Sequence, residues 1–418
     1  DVMIGPRSAL FTPFPDLGLI VIDEEHENTY KSEQTPRYHA RETAEARAKM
    51  EGASVVLGSA TPSMESMYRA RLGEYRLLEL KKRSREQEMA DVYVTDLREE
   101  LKNGNRSILS EKLQELMEDR LNRHEQIMLF LNRRGYAGFI SCRECGYVVK
   151  CPHCDVSLSF HRGGKMVCHY CGHEEAKPNV CPECGSRHIG EFKAGTQQIE
   201  DIVKRRFPEA RVLRMDMDTT REKDGHEKIL AAFANEEADV LVGTQMIVKD
   251  YRAGERTFQL LTQAVGRAGR GEKKGEAVIQ TYSPEHYAVV TAAAQDYAAF
   301  YEEEIRYRSL MGYPPVENLL AVFASGKDEA HLETGCRYLK EYAKRVCQAD
   351  PASPVEIIGP ASPGIGKIND VYRKVLYLKA ERYDTLVKIK NRLEQYIEVN
   401  SGFNTIRIQF DFNPMNVF

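Results

Sequence analysis

The sequence predicts an α/β fold: parallel sheets flanked by helices, interrupted by a cysteine-rich insertion and followed by a small α+β domain. Three observations predict it. Short continuous apolar runs alternate with longer charged segments of helical period, as in strands buried on both faces of a parallel sheet. Carboxylates and small residues follow two of these runs directly, at the strand ends where open α/β sheets bind ligands. Eight of the ten cysteines fall between Cys142 and Cys184.

Taken in order, the run Leu17 to Ile22 is the first strand, and it ends in Asp23-Glu24-Glu25-His26. Tyr38 to Met50 reads as a surface helix rich in Ala, Arg and Glu. The strand Ser54 to Leu57 ends in Gly58-Ser59-Ala60-Thr61-Pro62. Residues 81–105 are charged and irregular and read as a connection between domains. A helix (Ser110 to Asn122) and a strand (Gln126 to Leu131) follow, the strand ending in Asn132-Arg133-Arg134-Gly135. The rhythm stops for the cysteines and resumes near Gly195. Then come a helix (Gln197 to Arg206), a strand (Arg211 to Met215), a helix (Glu222 to Ala234) and a strand (Asp239 to Val242) ending in Gly243-Thr244-Gln245-Met246. A further helix begins near Arg252 and carries Gln263-Ala264-Val265-Gly266-Arg267-Ala268-Gly269-Arg270. The cysteines are therefore an insertion within one α/β domain. Past residue 300, the strand Leu319 to Phe323, the helix Glu329 to Ala349, a Pro/Gly-rich turn region at 350–366, the strand Lys374 to Leu378, a helix to Ile397 and the strand Thr405 to Gln409 form the α+β domain.

Composition bounds the function. At roughly 100–200 residues per domain, 418 residues mean two to four domains. A chain that is 42% hydrophobic and 29% charged can build ordinary cores, which excludes a mainly disordered, collagenous or coiled-coil protein. No run approaches the roughly 18 apolar residues of a membrane-spanning helix. A net charge of −4 argues against binding polyanions by bulk charge, though not against a local groove for DNA. The chain opens in mid-pattern, without a signal-peptide core, and reads as a fragment.

The cysteines carry the sharpest chemistry. They form four Cys-x-x-Cys pairs: Cys142/Cys145, Cys151/Cys154, Cys168/Cys171 and Cys181/Cys184. Each pair can present two thiolates to one Zn²⁺, and two pairs complete a closed tetrahedral site, so eight cysteines make two structural zinc sites. A hairpin through residues 155–167 suits pairing of Cys151 and Cys154 with Cys168 and Cys171. The outer four, Cys142, Cys145, Cys181 and Cys184, then share the other ion. A sequential pairing would crowd four ligands into Cys142 to Cys154, so the nested order is favoured. Redox chemistry is the rival role for Cys-x-x-Cys, and four regularly spaced pairs argue against it. The insertion is close to neutral and serves as a wedge or partner platform as readily as a DNA clamp. Arg267 and Arg270, three apart, can share a helical face and reach a phosphate across a cleft; a basic helix end on the surface is the plain alternative.

Asp23-Glu24-Glu25-His26 followed by Ser59-Ala60-Thr61 resembles motifs II and III of superfamily 2 helicases. The resemblance implies two RecA-like helicase lobes, the first one partial, with Asp23 holding Mg²⁺ and Glu24 orienting the attacking water. His26, Ser59 and Thr61 would couple nucleotide state to DNA, together with Gly243, Thr244, Gln245 and Gln263. Taken with the eight-cysteine insertion, Gly195-Thr196-Gln197, Gly312-Tyr313-Pro314-Pro315 and the ending Asp411-Phe412-Asn413-Pro414-Met415-Asn416, the chain resembles the PriA family of primosomal replication-restart helicases along essentially its whole length. The family implies residues 1–80 as part of lobe 1 with motifs Ib, II and III, 81–105 as the interlobe linker, 106–295 as lobe 2 with the zinc insertion at 141–190, and 300–418 as the C-terminal domain. It also implies ATP-dependent 3′→5′ unwinding at stalled forks by a cytoplasmic, nucleoid-associated monomer. Branched or single-stranded DNA, single-stranded DNA-binding protein and helicase-loading primosome proteins are the implied partners. A non-catalytic zinc-bearing scaffold with a degenerate motor is the alternative.

Two departures stand out. No Gly-x-x-x-x-Gly-Lys-[Ser/Thr] occurs; Gly364-Ile365-Gly366-Lys367-Ile368 lacks the spacing and the hydroxyl, and the phosphate loop is expected upstream of Asp1. Lys249 also runs straight into Asp250-Tyr251-Arg252, where the family has a Gly-His-x-Phe string and a further strand, so residues are expected to be missing at this junction.

Overall fold

The structure is a computed structural model. It describes the chain except residues 1, 33, 35–36, 81–88, 133–139, 154–156, 161–164, 169–170, 192–195, 216–224, 246–250, 269–273, 349–353, 365 and 416–418, and the side chains of 132, 191, 225–226 and 244–245. Two compact units result. One gathers Asp1–Lys81 with Tyr301–Pro360 and Ile365–Val417; the other is essentially Lys82–Phe300. Residues 1–80 and the C-terminal domain, read from sequence as separate domains, thus fall in one unit.

In the first unit, strand Leu19–Ile22 pairs parallel with Ser54–Leu57 through the crossover helix Ala40–Glu51. Ala40, Ala44 and Ala48, four apart, form one helical face against Ile20 and Ile22. Gly52 ends the helix in the left-handed conformation, φ +72°. Burial of the first strand on both faces is corrected here. Leu19 and Val21 are 54% and 61% exposed, because the helix covers one face of this two-stranded sheet.

The C-terminal part is an antiparallel sheet in the order Glu356–Ala361, Val371–Ala380, Asn318–Gly326, Arg407–Phe412, with helices Glu329–Gln348 and Tyr383–Val399 as connections. That is a split βαβ arrangement. Leu320, Val322, Ala324, Leu376, Leu378 and Ala380 alternate onto the helix-covered face and pack on Leu332, Leu339, Leu386 and Leu393. The opposite face is buried as well, through Leu319, Ala321, Val375 and Tyr377. Strand Glu356–Ala361 corrects the turn expected over 350–366. The phosphate-loop lookalike runs into a tight hairpin instead: Lys367–Ile368 pairs back on Val371 and Tyr372, and Asn369 and Asp370 take positive φ.

In the second unit, three parallel strands lie in the order Val212–Met215, Val240–Gln245, Ile127–Asn132. Their core joins Leu129, Val240 and Val242 to Met117 of helix Glu111–Asn122 and to Ile199 and Val203 of helix Thr196–Arg206. Strand Glu276–Thr281 pairs parallel with Asp91–Asp96 in a separate two-stranded sheet. Part of the stretch read as an irregular linker is therefore ordered: a strand at Asp91–Asp96, then a helix at Leu97–Lys102 capped by Asp96. Alternating Val92 and Val94 were diluted by charge, and the strand gains its stability from pairing with a distant segment.

Candidate active site and metal centres

The turn after Leu19–Ile22 separates its carboxylates. Glu24 takes φ +45°, so Asp23 and Glu24 stay in solvent while Glu25 and His26 turn inward. The Asp23 carboxylate accepts the Glu24 N–H at 3.0 Å, and its carbonyl accepts the Tyr30 hydroxyl at 2.7 Å. The Glu25 N–H donates to the carbonyl of Gly58 at 3.0 Å, tying this turn to the end of the neighbouring parallel strand. His26 is buried, its Nδ1 2.7 Å from Ser59 Oγ and 3.5 Å from a Glu24 carboxylate oxygen. Ser59 Oγ also accepts the Thr61 N–H at 3.0 Å. Asp23, Glu24, His26, Ser59 and Thr61 thus share one sheet edge.

Glu25 was given no role from sequence. It is 3% exposed and accepts the Ser63 N–H at 2.6 Å and the Ser66 hydroxyl at 2.8 Å, with Arg41 Nη1 at 3.4 Å. Ser63 caps helix Met64–Arg71. The available signal was Ser63-x-x-Ser66 at a helix start beside an extra carboxylate in the turn.

Gly243 lies in the central strand of the three-stranded sheet, in register with Met215 and Phe130. Thr244 and Gln245 continue that strand, their side chains outside the described set. Gln263 and Arg267 lie four apart on helix Ala253–Ala268, Gln263 half-buried and Arg267 exposed. Arg270 lies outside the described residues, so a face shared with Arg267 stays an expectation.

Among the described residues, two thiol clusters form. Cys142, Cys145, Cys181 and Cys184 have their sulfurs within 4.8 Å of one another, and Cys151, Cys168 and Cys171 form a second group; Cys154 lies outside the described residues. The order is the nested one. The Cys142–Cys184, Cys145–Cys181 and Cys151–Cys171 sulfur distances are 3.6, 3.5 and 3.5 Å. These are far longer than the roughly 2.05 Å of a disulfide. They are close to the edge of about 3.8 Å expected for a thiolate tetrahedron around zinc. Burial pushes the Cys145 thiol up to about 12, with further rises from Cys184, Cys181 and Cys142. Burial also opposes ionisation of Cys181, but the N–H groups of Cys184 and Glu183, with the Cys145 and Cys184 side chains, outweigh it and lower that thiol. Sulfurs this close can ionise together only around a cation. The donor set fits zinc.

The knuckles have a common build. Cys142, Cys168 and Cys181 each donate their N–H to the carbonyl five residues on (Tyr147, His173, Ser186), and each accepts the N–H of a glycine four residues on. Those glycines, Gly146, Gly172 and Gly185, have φ of +77°, +80° and +73°. Cys-x-x-Cys-Gly was the signal; the fourth pair, followed by Asp155, lacks it.

Comparison with known proteins agrees with this geometry. The profile of the PriA DNA helicase Cys-rich region (CRR) domain matches residues 151–175, and that of the primosomal protein N C-terminal domain matches 309–415. Replication restart protein PriA of Bacillus subtilis (strain 168) is 44% identical across 99% of the chain, which covers 54% of that relative. PriA of a Synechocystis species is 39% identical across the whole chain, covering 53% of its own length. The chain belongs to the PriA family.

The chain spans about half the length of these PriA relatives. Its alignment with the Bacillus PriA runs over 436 positions against 418 residues here, so the relative carries residues without counterparts in this chain. That bears on the Lys249/Asp250 junction, which lies outside the described residues. The PriA C-terminal profile covers the split βαβ sheet.

Proposed function

We propose that this chain is the motif-bearing part of an ATP-dependent 3′→5′ DNA helicase that acts in replication restart, built on two RecA-like lobes with two zinc ions in the insertion. The observation that carries the reading is His26, buried between Glu24 and Ser59 at the C-terminal edge of paired parallel strands. A group placed there transmits a change at the nucleotide to the following motif. Asp23 offers the hard carboxylate oxygen that suits Mg²⁺, and Glu24 orients the water that attacks the γ-phosphate. Arg267, joined by Arg270, supplies positive charge to the transition state. Branched or single-stranded DNA, single-stranded DNA-binding protein and primosome proteins are the partners this reading assigns, in keeping with relatives named as replication restart proteins.

The test is DNA-stimulated ATP hydrolysis by the full-length protein. Glu24→Gln is expected to lower kcat by about 10²-fold or more, the loss typical of a removed general base. Equal turnover in the two proteins rejects the assignment. The 418 residues alone, with no phosphate loop in their sequence, are expected to show no ATPase.

A further inference from the structure

The second face of the C-terminal sheet carries a charge at its centre. Asp411, 5% exposed on the last strand, meets Lys31 Nζ at 2.9 Å and Arg37 Nη1 at 2.8 Å. Lys31 also donates to the Phe412 carbonyl at 3.0 Å, and the Arg37 guanidinium lies over the Phe323 ring. All three charged side chains are at least four-fifths buried. A buried ion triad adds little net stability, because desolvation offsets the attraction, while removing one member leaves the others buried and uncompensated. Lys31 is bridged to His39, the cap of helix Ala40–Glu51, and directly follows Tyr30, whose hydroxyl holds the Asp23 carbonyl. One short segment is therefore pinned at one end by Asp411 and at the other holds the backbone of Asp23.

We propose that Asp411 is a positioning residue for the Asp23–Glu24 turn, so that the C-terminal sheet sets the geometry of the hydrolytic carboxylates; this rests on the reading of that turn given above. Asp411 is buried and lies on a strand apart from the Asp23–Glu24 turn. It acts through Lys31, Arg37 and Tyr30.

The full-length protein carrying Asp411→Asn, Lys31→Met or both is assayed for DNA-stimulated ATP hydrolysis, and amide exchange across 22–31 is read by mass spectrometry without nucleotide. Each single variant is expected to lower kcat about 10-fold or more with KM for ATP nearly unchanged, as misplacement of reacting groups does. Exchange across 22–31 rises, and the double variant falls little further than the worse single one, since the two residues share an interaction. Unchanged exchange in a variant that keeps its melting temperature overturns the proposal; so does raised exchange with wild-type kcat, or fully additive losses. If Asp411→Asn does not fold, Lys31→Met, which leaves Asp411 its pair with Arg37, supplies the same readouts. Exchange involves no hydrolysis, so normal turnover in Glu24→Gln refutes the catalytic reading alone.

Discussion

Neighbours in the Asp23–His26 turn have opposite surroundings, and that contrast assigns them different work. Glu24 accepts a left-handed backbone at a cost of about 1–2 kcal/mol, a strain held in place by the bonds of the residues after it. Glu25 is the anchor. Its carboxylate meets the N-terminus of helix Met64–Arg71 and the buried Arg41 guanidinium together. Glu25→Ala removes both and leaves Arg41, 6% exposed, without that carboxylate; a loss of about 3–5 kcal/mol is expected, the usual result of breaking a buried pair from one side. A urea titration checks it: the midpoint falls while the slope holds. A change below about 1 kcal/mol would mean the network relaxes around the loss.

Elements differ in how far their sequence foretold them, and the reasons are physical. The helix Ala40–Glu51 and strand Ser54–Leu57 were legible because local period and apolar runs decide them. Strand Asp91–Asp96 was not, since its partner Glu276–Thr281 is distant in sequence. The cysteine knuckles were legible by spacing, yet their glycines differ in a way only the structure reveals. A Cβ on Gly146 would meet the Tyr282 carbonyl oxygen at 2.3 Å, and Arg98 Nη1 donates to the carbonyl of Cys145 beside it at 3.2 Å. A Cβ on Gly185, at nearly the same φ, meets nothing within 4 Å. Gly185→Ala is therefore expected to cost only the left-handed penalty of about 1–2 kcal/mol. Gly146→Ala must also shift backbone and is expected to detach the knuckle from Tyr282. Melting curves of the two variants, with zinc content measured alongside, decide it. Equal losses would place Gly146 on the same footing as Gly185.

At the scale of the molecule, the described residues of the second unit hold two parallel sheets where the α/β rhythm of its sequence implies one. Helix Glu111–Asn122 and its cap serve both: Met117 packs on Leu129 and Val240, while Arg120 pairs with Glu276 and the Ser110 N–H donates to Gln280. Among the described residues, strand Ile127–Asn132 is an edge of the three-stranded sheet, and Met128 and Phe130 are 47% and 46% exposed on one of its faces, apolar surface that a layer packed there would hide. The alignment with the Bacillus PriA runs over more positions than this chain has residues, and the sequence pattern predicts the missing ones after Lys249. If residues are missing between Lys249 and Asp250, restoring them is expected to add a strand beside Ile127–Asn132 and a connection that covers the face carrying Met128 and Phe130. Met128 and Phe130 are already about half buried, so covering the rest contributes about 1 kcal/mol each, enough to raise Tm by a few degrees in a unit of this size. Peroxide footprinting gives the local readout, because an exposed methionine oxidises and a buried one is spared. Met128 should oxidise in the 418-residue chain and resist in the restored one. If Met128 stays equally reactive and Tm does not move, the two sheets are separate by nature and the segment belongs elsewhere.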